Sequence, residues 1–394
     1  MKKFMILGAS NLQVPAIKQA KEMGLDVVAV DMDASAVGFS ESGVVKEVIS
    51  TIDIPNVIKA AREHDICGIV TVASDMPMRT VAAVAKELSL IGISEETAIK
   101  ATNKADMRLA FKNAGVASPE SHKISSKIQF DEVAKHFNYF FIVKPADNSG
   151  SRGVYFVNNS ADADIAYEYS RNFSRNGDVV VEEFMTGPEV SVELLAINGE
   201  FHVLQVTDKL TTGVPHFVEI GHSQPSRLPS NDIDSIKALA IKAAKAVGIK
   251  DGPGHAEIIL TKDGPKMVEI GARMGGGCIT THLVPLSTGI NMTKATIQIA
   301  LGERPNIDAL YQKGAAIRFI IPPIGEVVEI LGVQEAKTLP GVKEVEIQCK
   351  VGQVVGELEN GASRIGYVIA QAETPEDAID ICTQALKLIR IVTK

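Results

Sequence analysis

The chain has 394 residues, which is too long for one hydrophobic core and indicates two to three domains at ~150 residues per domain. Apolar residues make up 45% of the chain and charged residues 22%, a globular balance that excludes a disordered, collagenous or fibrous protein. Forty basic against 48 acidic residues give a formal net charge of −8, which argues against a surface that coats nucleic acid.

Membrane and secretory segments are not expected. No apolar run approaches the ~18–20 residues of a membrane helix, and the apolar stretch from Phe4 to Leu7 is too short for a signal peptide. The four cysteines lie far apart without a Cys-x-x-Cys pair, so neither a disulfide framework nor a zinc ribbon is indicated. We therefore expect a protein of a reducing compartment, most simply a cytoplasmic enzyme with neither membrane nor nucleic-acid partners.

The first hundred residues alternate apolar strands with helical segments. The predicted strands are Phe4–Ala9, Asp26–Asp31 and Cys67–Val72, and helices are expected over about Val14–Met23 and from Pro77. Strands separated by helices form parallel βαβ units, which bind ligands at the carboxyl ends of the strands. This part of the chain is therefore predicted to be an α/β domain.

Two turns at that edge of the predicted sheet are candidates for ligand contact. The first follows Gly8, but Ser10 and Gln13 occupy the positions at which a dinucleotide-binding turn needs glycine, so a tight strand-to-helix turn is favoured over NAD or FAD binding. The second, Ser74-Asp75, either lines a ligand crevice or caps the next helix, and the sequence leaves both interpretations open.

A lysine and a glycine-rich loop follow the apolar run Phe141–Val143. Lys144-Pro145 leads into Asp147–Gly153, whose backbone N–H groups could surround phosphate oxygens. The spacing is not that of the P-loop enzymes. Phosphate binding and a solvated hairpin loop are both compatible with this segment alone.

A mixed α+β region is predicted in the middle of the chain, because hairpin turns occur at Ile197–Glu200 and Thr261–Gly264. If the second turn is centred on Asp263, Glu257 and Glu269 are direct cross-strand partners ~5 Å apart at Cβ. Two carboxylates that close repel each other unless a cation intervenes, and Mg²⁺ bridged to phosphates would resolve the repulsion. Surface glutamates paired with neighbouring lysines are the alternative.

Strand alternation then assigns the two faces of this hairpin. His255 is expected beside Glu257, and Met267, Gly271 and Arg273 beside Glu269, on a charged face that looks into a site. The opposite face is wholly apolar and is expected to be buried: Ala256, Ile258, Leu260, Val268 and Ile270.

Two further segments complete the pattern. Val181–Glu189 ends one strand and begins another, where backbone groups could bind an adenine ring and a glutamate could accept from ribose hydroxyls; a loop rich in acids is the simpler alternative. From about Gln312 the chain holds short strands and a last helix, which Thr374 is expected to cap and Pro375 to begin.

Taken in order, these pieces resemble the ATP-grasp superfamily of carboxylate–amine ligases over nearly the whole chain. The resemblance rests on Lys104, Val-Lys144-Pro, Glu182-Glu183-Phe184-Met185, Gly187-Pro188-Glu189, Lys209, Glu257 and Glu269. It implies an α/β pre-ATP-grasp domain at 1–98, an α+β ATP-grasp domain at 99–311 with a lid at about 118–181, and a small C-terminal α+β domain at 312–394.

The resemblance also implies a site for ATP with Mg²⁺, or with Mn²⁺ in its place. Lys104 and Lys144 would hold the α- and β-phosphates, and the glycine-rich loop would close over the triphosphate. The backbone of the hinge segment Glu182–Met185 would contact adenine, and Glu189 would contact the ribose. Lys209 would approach the γ-phosphate. The implied metal ligands are Glu257 and Glu269. The implied nucleotide-binding residues are Lys104, Lys144, Ser149, Gly150, Ser151, Glu182, Glu183, Phe184, Met185, Glu189 and Lys209.

Within the superfamily, Phe217–Ser226, Arg273–Gly277 and Gly289–Asn291 look like the L-amino-acid ligases, the dipeptide-forming branch. That likeness implies small-molecule carboxylate and amine substrates, a ligase that forms an acyl phosphate and releases ADP and phosphate, and a homodimer as a family-level expectation. The implied catalytic residues are Arg273, Lys209, Glu219 and His222, and the implied substrate contacts are Glu219, His222, Arg273 and the backbone N–H of Gly276. A surface loop is the alternative for Glu219 and His222.

One position departs from the superfamily pattern. Many members carry Glu-x-Asn-x-Arg on the second metal strand, whereas this chain reads Glu269-Ile270-Gly271-Ala272-Arg273, so the usual amide ligand is missing. A second Mg²⁺ is therefore less certain than the first. Two other functions stay open: an enzyme that uses formate, bicarbonate or carbamate, and a nucleotide-binding protein that has lost turnover.

Overall fold

The computed structural model describes residues 2–150, 152–214, 217–321 and 323–394. Ser151, one of the residues expected in the glycine-rich loop, lies outside the described residues. Within these ranges, no helix is both long enough and apolar enough to cross a membrane.

The first hundred residues form a parallel sheet flanked by helices. Its strands are β1 (Lys3–Leu7), β2 (Asp26–Asp31), β3 (Val45–Val48) and β4 (Ile66–Thr71), in the order β3-β2-β1-β4, and its helices are α1 (Val14–Glu22), α2 (Ile54–Glu63), α3 (Pro77–Glu87) and α4 (Glu95–Lys100). The central strands are apolar and buried on both faces, as strands of a covered parallel sheet must be. The predicted α/β domain is confirmed; β3 is half exposed and carries no apolar run that would reveal it.

An antiparallel sheet follows helix α5 (Lys104–Ala114). Its strands are β5 (Ser121–Ile124), β6 (Phe141–Pro145), β7 (Tyr155–Val157) and β8 (Val179–Glu183), in the order β5-β8-β6-β7, and it packs with α6 (Lys127–His136) and α7 (Ala163–Asn172). Phe130, Phe141 and Tyr167 are fully buried in its core, with the Phe130 ring centroid 5.8 Å from Phe141 and 4.7 Å from Tyr167. This sheet with its two helices is called the lid below.

The remaining strands build one large sheet and one small sheet. They are β9 (Glu189–Ile197), β10 (Glu200–Thr211), β11 (Glu219–Gln224), β12 (Gly252–Thr261), β13 (Gly264–Gly271), β14 (Gly314–Phe319), β15 (Gly325–Leu331), β16 (Val342–Ile347), β17 (Val354–Val355), β18 (Gly366–Ala372) and β19 (Arg390–Thr393). The eight-stranded sheet has the order β13-β12-β9-β10-β11-β14-β18-β16, and the small sheet the order β17-β15-β19. Both are antiparallel.

Helices cover these sheets: α8 (Ser230–Val247), α9 (Val284–Thr288), α10 (Met292–Ala300), α11 (Val333–Lys337) and α12 (Pro375–Leu388). Helix α12 begins as expected, because the Thr374 hydroxyl accepts from the backbone N–H of Asp377 at 3.2 Å. Its buried residues, Ala378, Cys382 and Ala385, pack on β14 and β18.

The large sheet runs through the expected boundary at residue 311. Strands β9 to β13 precede that residue, and β14, β16 and β18 extend the same sheet beyond it. The chain thus has an N-terminal α/β part, a central α+β part and a small C-terminal part, as expected. The limits 1–98, 99–311 and 312–394 stay predictions.

Candidate active site

A cavity of 610 Å³ opens between the lid and the large sheet. Its wall is built from β6, the glycine-rich loop, the segment after β8, and the facing strands β10 to β13. Thirteen of the residues selected from the sequence line it: Lys104, Lys144, Ser149, Gly150, Glu182, Glu183, Phe184, Met185, Glu189, Lys209, Glu219, Glu257 and Glu269. Of the other described candidates, Arg273, His222 and Gly276 lie outside this wall.

The two predicted metal ligands stand opposite each other, but the turn and the strand register that bring them there differ from the prediction. Glu257 pairs with Glu269 in the β12–β13 ladder. The turn, however, is the two-residue loop between Thr261 and Gly264, and it is not centred on Asp263. A bulge between the Ile258–Met267 pair and the glutamate pair inserts Val268 and restores the register.

The bulge exchanges two neighbouring side chains between the faces of β13. Met267, expected beside Glu269, is fully buried in the core with Ile258 and Ile270, whereas Val268, expected in the core, lines the cavity. The assignment of these two residues from strict alternation is therefore wrong, because one extra residue reverses the alternation along the strand.

Lys209 holds three carboxylates of the cavity. Its Nζ lies 2.6 Å from Glu189 Oε1, 3.0 Å from Glu257 Oε2 and 3.2 Å from Glu219 Oε1, and its side chain is only 4% exposed. Burial would lower the pKa of Lys209, but the three carboxylates raise it well above its usual value. Burial raises the pKa of Glu189, and the neighbouring carboxylates raise it further against the effect of Lys209.

A second cationic group faces the lid side of the cavity. Lys104 Nζ lies 3.1 Å from Glu269 Oε2 and donates to the Asn148 carbonyl at 2.6 Å, which ties helix α5 to the glycine-rich loop. Lys144 Nζ lies 2.8 Å from Glu182 Oε2. The sequence-predicted lysines therefore both reach the cavity from its lid side.

Arg108 is a charged residue of this cluster that sequence reasoning missed. Its Nε and Nη2 donate to Glu182 at 2.8 and 3.1 Å, and both side chains are buried. Burial would raise the pKa of Glu182, but Arg108 and Lys144 together lower it to about 2. The Glu182 carboxylate is thus fixed in an ionic network with two basic side chains.

An apolar wall lines the hinge end of the cavity. The Phe184 ring centroid lies 4.2 Å from that of Phe156 and 6.3 Å from that of Phe217. The backbone N–H of Glu183 donates to the Glu120 carbonyl at 2.9 Å and is already used. A flat ring bound here would lie against Phe184 and Phe217, and its polar edge would face backbone groups other than that N–H.

At the opposite end, Glu219 faces the side chains of His222 and Arg364 without a hydrogen bond to either. His222 Nε2 and Arg364 Nη1 lie 3.6 and 3.8 Å from Glu219 Oε2. Both nitrogens of the His222 ring and Arg364 Nη1 are buried and have no hydrogen-bond partner among the described residues. Buried polar atoms are rarely left unpaired, so these atoms are available to bind a polar group of a small molecule.

The Arg364 guanidinium is held in a fixed position. It lies 4.0 Å above the Phe319 ring, and its Nε donates to the Gly361 carbonyl at 2.8 Å. Burial lowers the pKa of His222, so its ring is neutral near pH 7. No pattern in the sequence selects Arg364, because it follows a short loop that carries no recognisable motif.

Arg273 reaches across to the N-terminal sheet. Its Nε and Nη2 donate to Asp75 Oδ1 and Oδ2 at 2.6 and 3.1 Å. Helix α3 is capped at Met76 without a side-chain hydrogen bond, so the helix-cap interpretation of Ser74-Asp75 is wrong and the carboxylate binds the arginine instead. Gly276 is near the same strand end, since a Cβ built on it would lie 3.4 Å from the Ala73 Cβ.

His255 lies between two carboxylates. Its Nδ1 is 2.9 Å from Glu193 Oε1, and its Nε2 is 3.3 Å from Glu257 Oε1. Burial would lower the pKa of His255, but Glu193 and then Glu257 raise it to about 10. The charged ring therefore orients the Glu257 carboxylate from behind the cavity.

The comparisons with known proteins agree with this architecture. Residues 137–282 match the ATP-grasp domain model, and residues 318–394 match the model of L-amino acid ligase C-terminal domain 2. An L-arginine-specific L-amino acid ligase from Bacillus subtilis is 26% identical over 283 residues, which cover 69% of this chain and 67% of the relative. A formate-dependent phosphoribosylglycinamide formyltransferase from Pectobacterium carotovorum subsp. carotovorum is 24% identical over 393 residues, 96% of this chain and 93% of the relative.

A solved structure shows the same fold. The crystal structure of an L-amino acid ligase from Bacillus licheniformis superposes with a TM-score of 0.88 at 23% sequence identity, over 100% of this chain and 99% of that chain.

ATP-grasp enzymes use ATP together with Mg²⁺, and the cavity fits that pair. Glu257 and Glu269 supply the oxygen donors that Mg²⁺ prefers, side by side on facing strands. Around Lys209 one ammonium meets three carboxylates, an excess of negative charge that a divalent cation would neutralise. The chain therefore contains an ATP-grasp domain at residues 137–282 and an L-amino acid ligase C-terminal domain at residues 318–394.

Proposed function

We propose that this ATP-grasp ligase activates the carboxylate of an amino acid as an acyl phosphate and joins it to the amine of a second amino acid, releasing ADP and phosphate. The observation that carries the proposal is the set of buried, unpaired polar atoms around Glu219. An anionic and a cationic group less than 4 Å apart match the ammonium and carboxylate of an amino-acid zwitterion.

The nucleotide would occupy the 610 Å³ cavity. The adenine ring would lie at the Phe184 end, and the phosphates would approach Lys104 and Lys144. The loop that contains Ser149 and Gly150 would cover them. Glu257 and Glu269 would hold Mg²⁺, which, when bound, neutralises charge on the transferred phosphoryl group.

The proposed reaction has two bond exchanges. A substrate carboxylate oxygen forms a bond to the γ-phosphorus of ATP as the bond from that phosphorus to ADP breaks. The amine nitrogen then attacks the acyl carbon, and phosphate leaves from the tetrahedral state with the pair of electrons of the C–O bond. Neither step needs a protein nucleophile, and cationic side chains with positioned N–H donors supply what the reaction requires.

The attacking amine must lose a proton. His222 is neutral near pH 7 because burial lowers its pKa, and its Nε2 lies 3.6 Å from Glu219, which would stabilise the imidazolium. His222 could therefore receive the proton once an ammonium binds at Glu219. Lid closure would keep water from the acyl phosphate.

The direct test measures ADP release by a coupled assay over pairs of amino acids, with the product mass determined for each active pair. We expect ADP release that depends on amino acids and a product that has lost one water relative to the two substrates. ADP release with formate or bicarbonate but not with amino acids would contradict the proposal, and so would tight ATP binding without turnover.

A formate-using enzyme is the second candidate. The formyltransferase relative matches 93% of its own length, against 67% for the arginine-specific ligase. The charged surroundings of Glu219 favour the amino-acid ligase, because formate has no ammonium group for this carboxylate to bind. Measuring ADP release with formate in place of amino acids, in the same assay, separates the two functions.

A further inference from the structure

An ion pair joins the N-terminal sheet to the end of the second metal strand. Asp75 follows β4 at the carboxyl edge of the parallel sheet, and Arg273 follows β13. The side chains of Asp75 and Arg273 are 13% and 9% exposed, and two parallel hydrogen bonds of 2.6 and 3.1 Å connect them. A cleft beside the pair is lined by Asp75, Lys104, Ser149, Glu269 and Gly271.

Gly271 lies directly against this pair. A Cβ added to it would stand 3.1 Å from Arg273 Cγ, 3.1 Å from Asp75 Oδ1 and 3.2 Å from Arg273 Nε. These distances are shorter than ordinary carbon contacts, so Asp75 and Arg273 would have to shift by a few tenths of an ångström to admit a Cβ at 271. The position that a Cβ would take at 271 is bordered by the carboxylate of Asp75 and the stem of Arg273.

We propose that Asp75 is a positioning residue for Arg273, and that residue 271 is glycine because the ion pair requires its space. This inference rests on the proposed function in one respect, the role of Arg273 in the chemistry. The departure at Gly271 then is not a loss of function. Glycine at this position leaves room for the ion pair through which the N-terminal sheet holds Arg273 in place.

The geometry explains why such an anchor matters. A free arginine side chain has several rotatable bonds, and a bidentate carboxylate fixes both the plane and the direction of its guanidinium. Nη1 donates to the Met274 carbonyl at 3.2 Å, which fixes the same group from its other edge. Of the five N–H groups of the guanidinium, three are used in these bonds and two remain, one on Nη1 and one on Nη2. Donors that are fixed in advance stabilise a developing negative charge without reorganisation.

The test combines Asp75→Asn, which keeps the shape and removes the charge, with Arg273→Ala. We expect Asp75→Asn to lower kcat by about 10- to 100-fold with the KM for ATP within about 3-fold. In the Arg273→Ala background the same change should cost less than about 3-fold, because a residue that acts only through the arginine has nothing left to position. Equal losses in the two backgrounds would overturn the inference.

Asp208→Asn is the matched control. Asp208 also binds an arginine, with Arg227 Nε at 3.0 Å, and its side chain is 16% exposed, but neither residue lines the cavity. Asp75→Asn should lower the urea midpoint more than Asp208→Asn, because the side chain of Arg227 is 48% exposed and that of Arg273 9%, and only Asp75→Asn should lower kcat. A kcat loss in both variants would show a general structural effect and overturn the positioning role.

A binding measurement keeps the inference separate from the proposed substrates. Calorimetry with MgADP alone and with MgADP plus aluminium fluoride, a mimic of the transferred phosphoryl group, needs no amino acid. Asp75→Asn and Gly271→Ala should leave the affinity for MgADP within about 3-fold and weaken the aluminium fluoride complex by about 10-fold or more. Unchanged affinity for both in both variants would overturn the inference, whereas absent amino-acid turnover in the parent protein would overturn only the proposed function.

Discussion

Glu257 and Glu269 face each other across the β12–β13 hairpin because one extra residue, Val268, separates them from a turn that would otherwise leave them out of register. The bulge also turns Val268 into the cavity and Met267 into the core. The two acids are thus side by side at the edge of a space large enough for a nucleotide. Four experiments follow from this arrangement and from the residues around it.

The first concerns the paired acids. Glu269→Gln keeps the shape of the side chain but removes one of the two negative charges available to a divalent ion. We expect kcat to fall by at least about 100-fold and Mn²⁺ affinity, measured by electron paramagnetic resonance, to weaken, while the urea unfolding midpoint stays close to that of the parent. Glu63→Gln, an exposed glutamate on α2, serves as the control. Near-normal turnover and Mn²⁺ binding would remove Glu269 from the metal site.

Arg364 is predicted to bind the carboxylate that stays free in the product. Arg364→Met keeps the apolar stem over Phe319 and removes the charge, so the KM for the amine substrate should rise by about 10- to 100-fold with the KM for ATP unchanged. The parent should prefer an amino acid over its α-amide as the amine substrate, and the variant should not. Arg304→Met, at an arginine that is 79% exposed, is the control. A variant that retains the preference would contradict this role.

Acid stability should depend on Glu182. Its pKa is lowered from 4.5 to about 2 in the folded protein, so its contribution to stability is complete above pH 4.5 and is lost as the pH falls from 4.5 towards 2. The shift corresponds to about 3 kcal/mol. Urea unfolding at a series of pH values measures the slope directly.

Glu182→Gln sharpens this test. At pH 7 the change should cost about 3–5 kcal/mol, because Arg108 and Lys144 stay buried without their anion, but the stability of the variant should fall less steeply between pH 5 and pH 3. Glu335→Gln, on the exposed surface of α11, should behave like the parent at every pH. If the variant and the parent lose stability with the same slope, another acid governs the acid unfolding.

The lid should be sensitive at Gly153. This residue has φ +79°, and an added Cβ would lie 2.7 Å from both Phe173 Cβ and Pro145 Cγ. Gly153→Ala should therefore cost more than the ~1–2 kcal/mol of a left-handed residue alone. Gly177→Ala isolates that smaller cost, because Gly177 has φ +80° and its nearest neighbour would be 3.6 Å away.

Limited proteolysis of the lid and the ATP dependence of turnover provide the measurements for this pair. We expect faster cleavage within the lid and a higher KM for ATP in Gly153→Ala than in Gly177→Ala. Equal behaviour of the two variants would mean that the close packing around Gly153 does not limit lid stability.

Much of the site was predictable because its parts lie on short, patterned segments. The lysine of β6, the glycine-rich loop, the hinge after β8 and the acids of one hairpin each carry their own signal, and all of them line one cavity. The α/β start of the chain and helix α12 were predictable for the same reason. The roles of these residues, the homodimer and the cytoplasmic location stay predictions.

What the sequence could not provide are contacts between distant segments. Asp75 and Arg273 are 198 residues apart, and Arg108 and Glu182 are 74 apart, so no local pattern connects either pair. The bulge at Val268 was not predicted, because an extra residue in an apolar strand leaves the composition of the strand unchanged. Arg364 carries no local signal, because its contact with Glu219, 145 residues away in the chain, exists only in the folded protein.

The large sheet has a practical consequence for anyone who divides this chain into fragments. Strand β11 pairs with β14, with His222 opposite Ile317, so a protein cut at residue 311 would expose a bare strand edge next to Glu219 and lose Gly361 and Arg364 from the wall of its cavity. Such edges recruit other strands, and the truncated protein should self-associate. A cut made to exchange specificity between relatives would have to fall outside this sheet, because the C-terminal strands share the scaffold on which the substrates would meet.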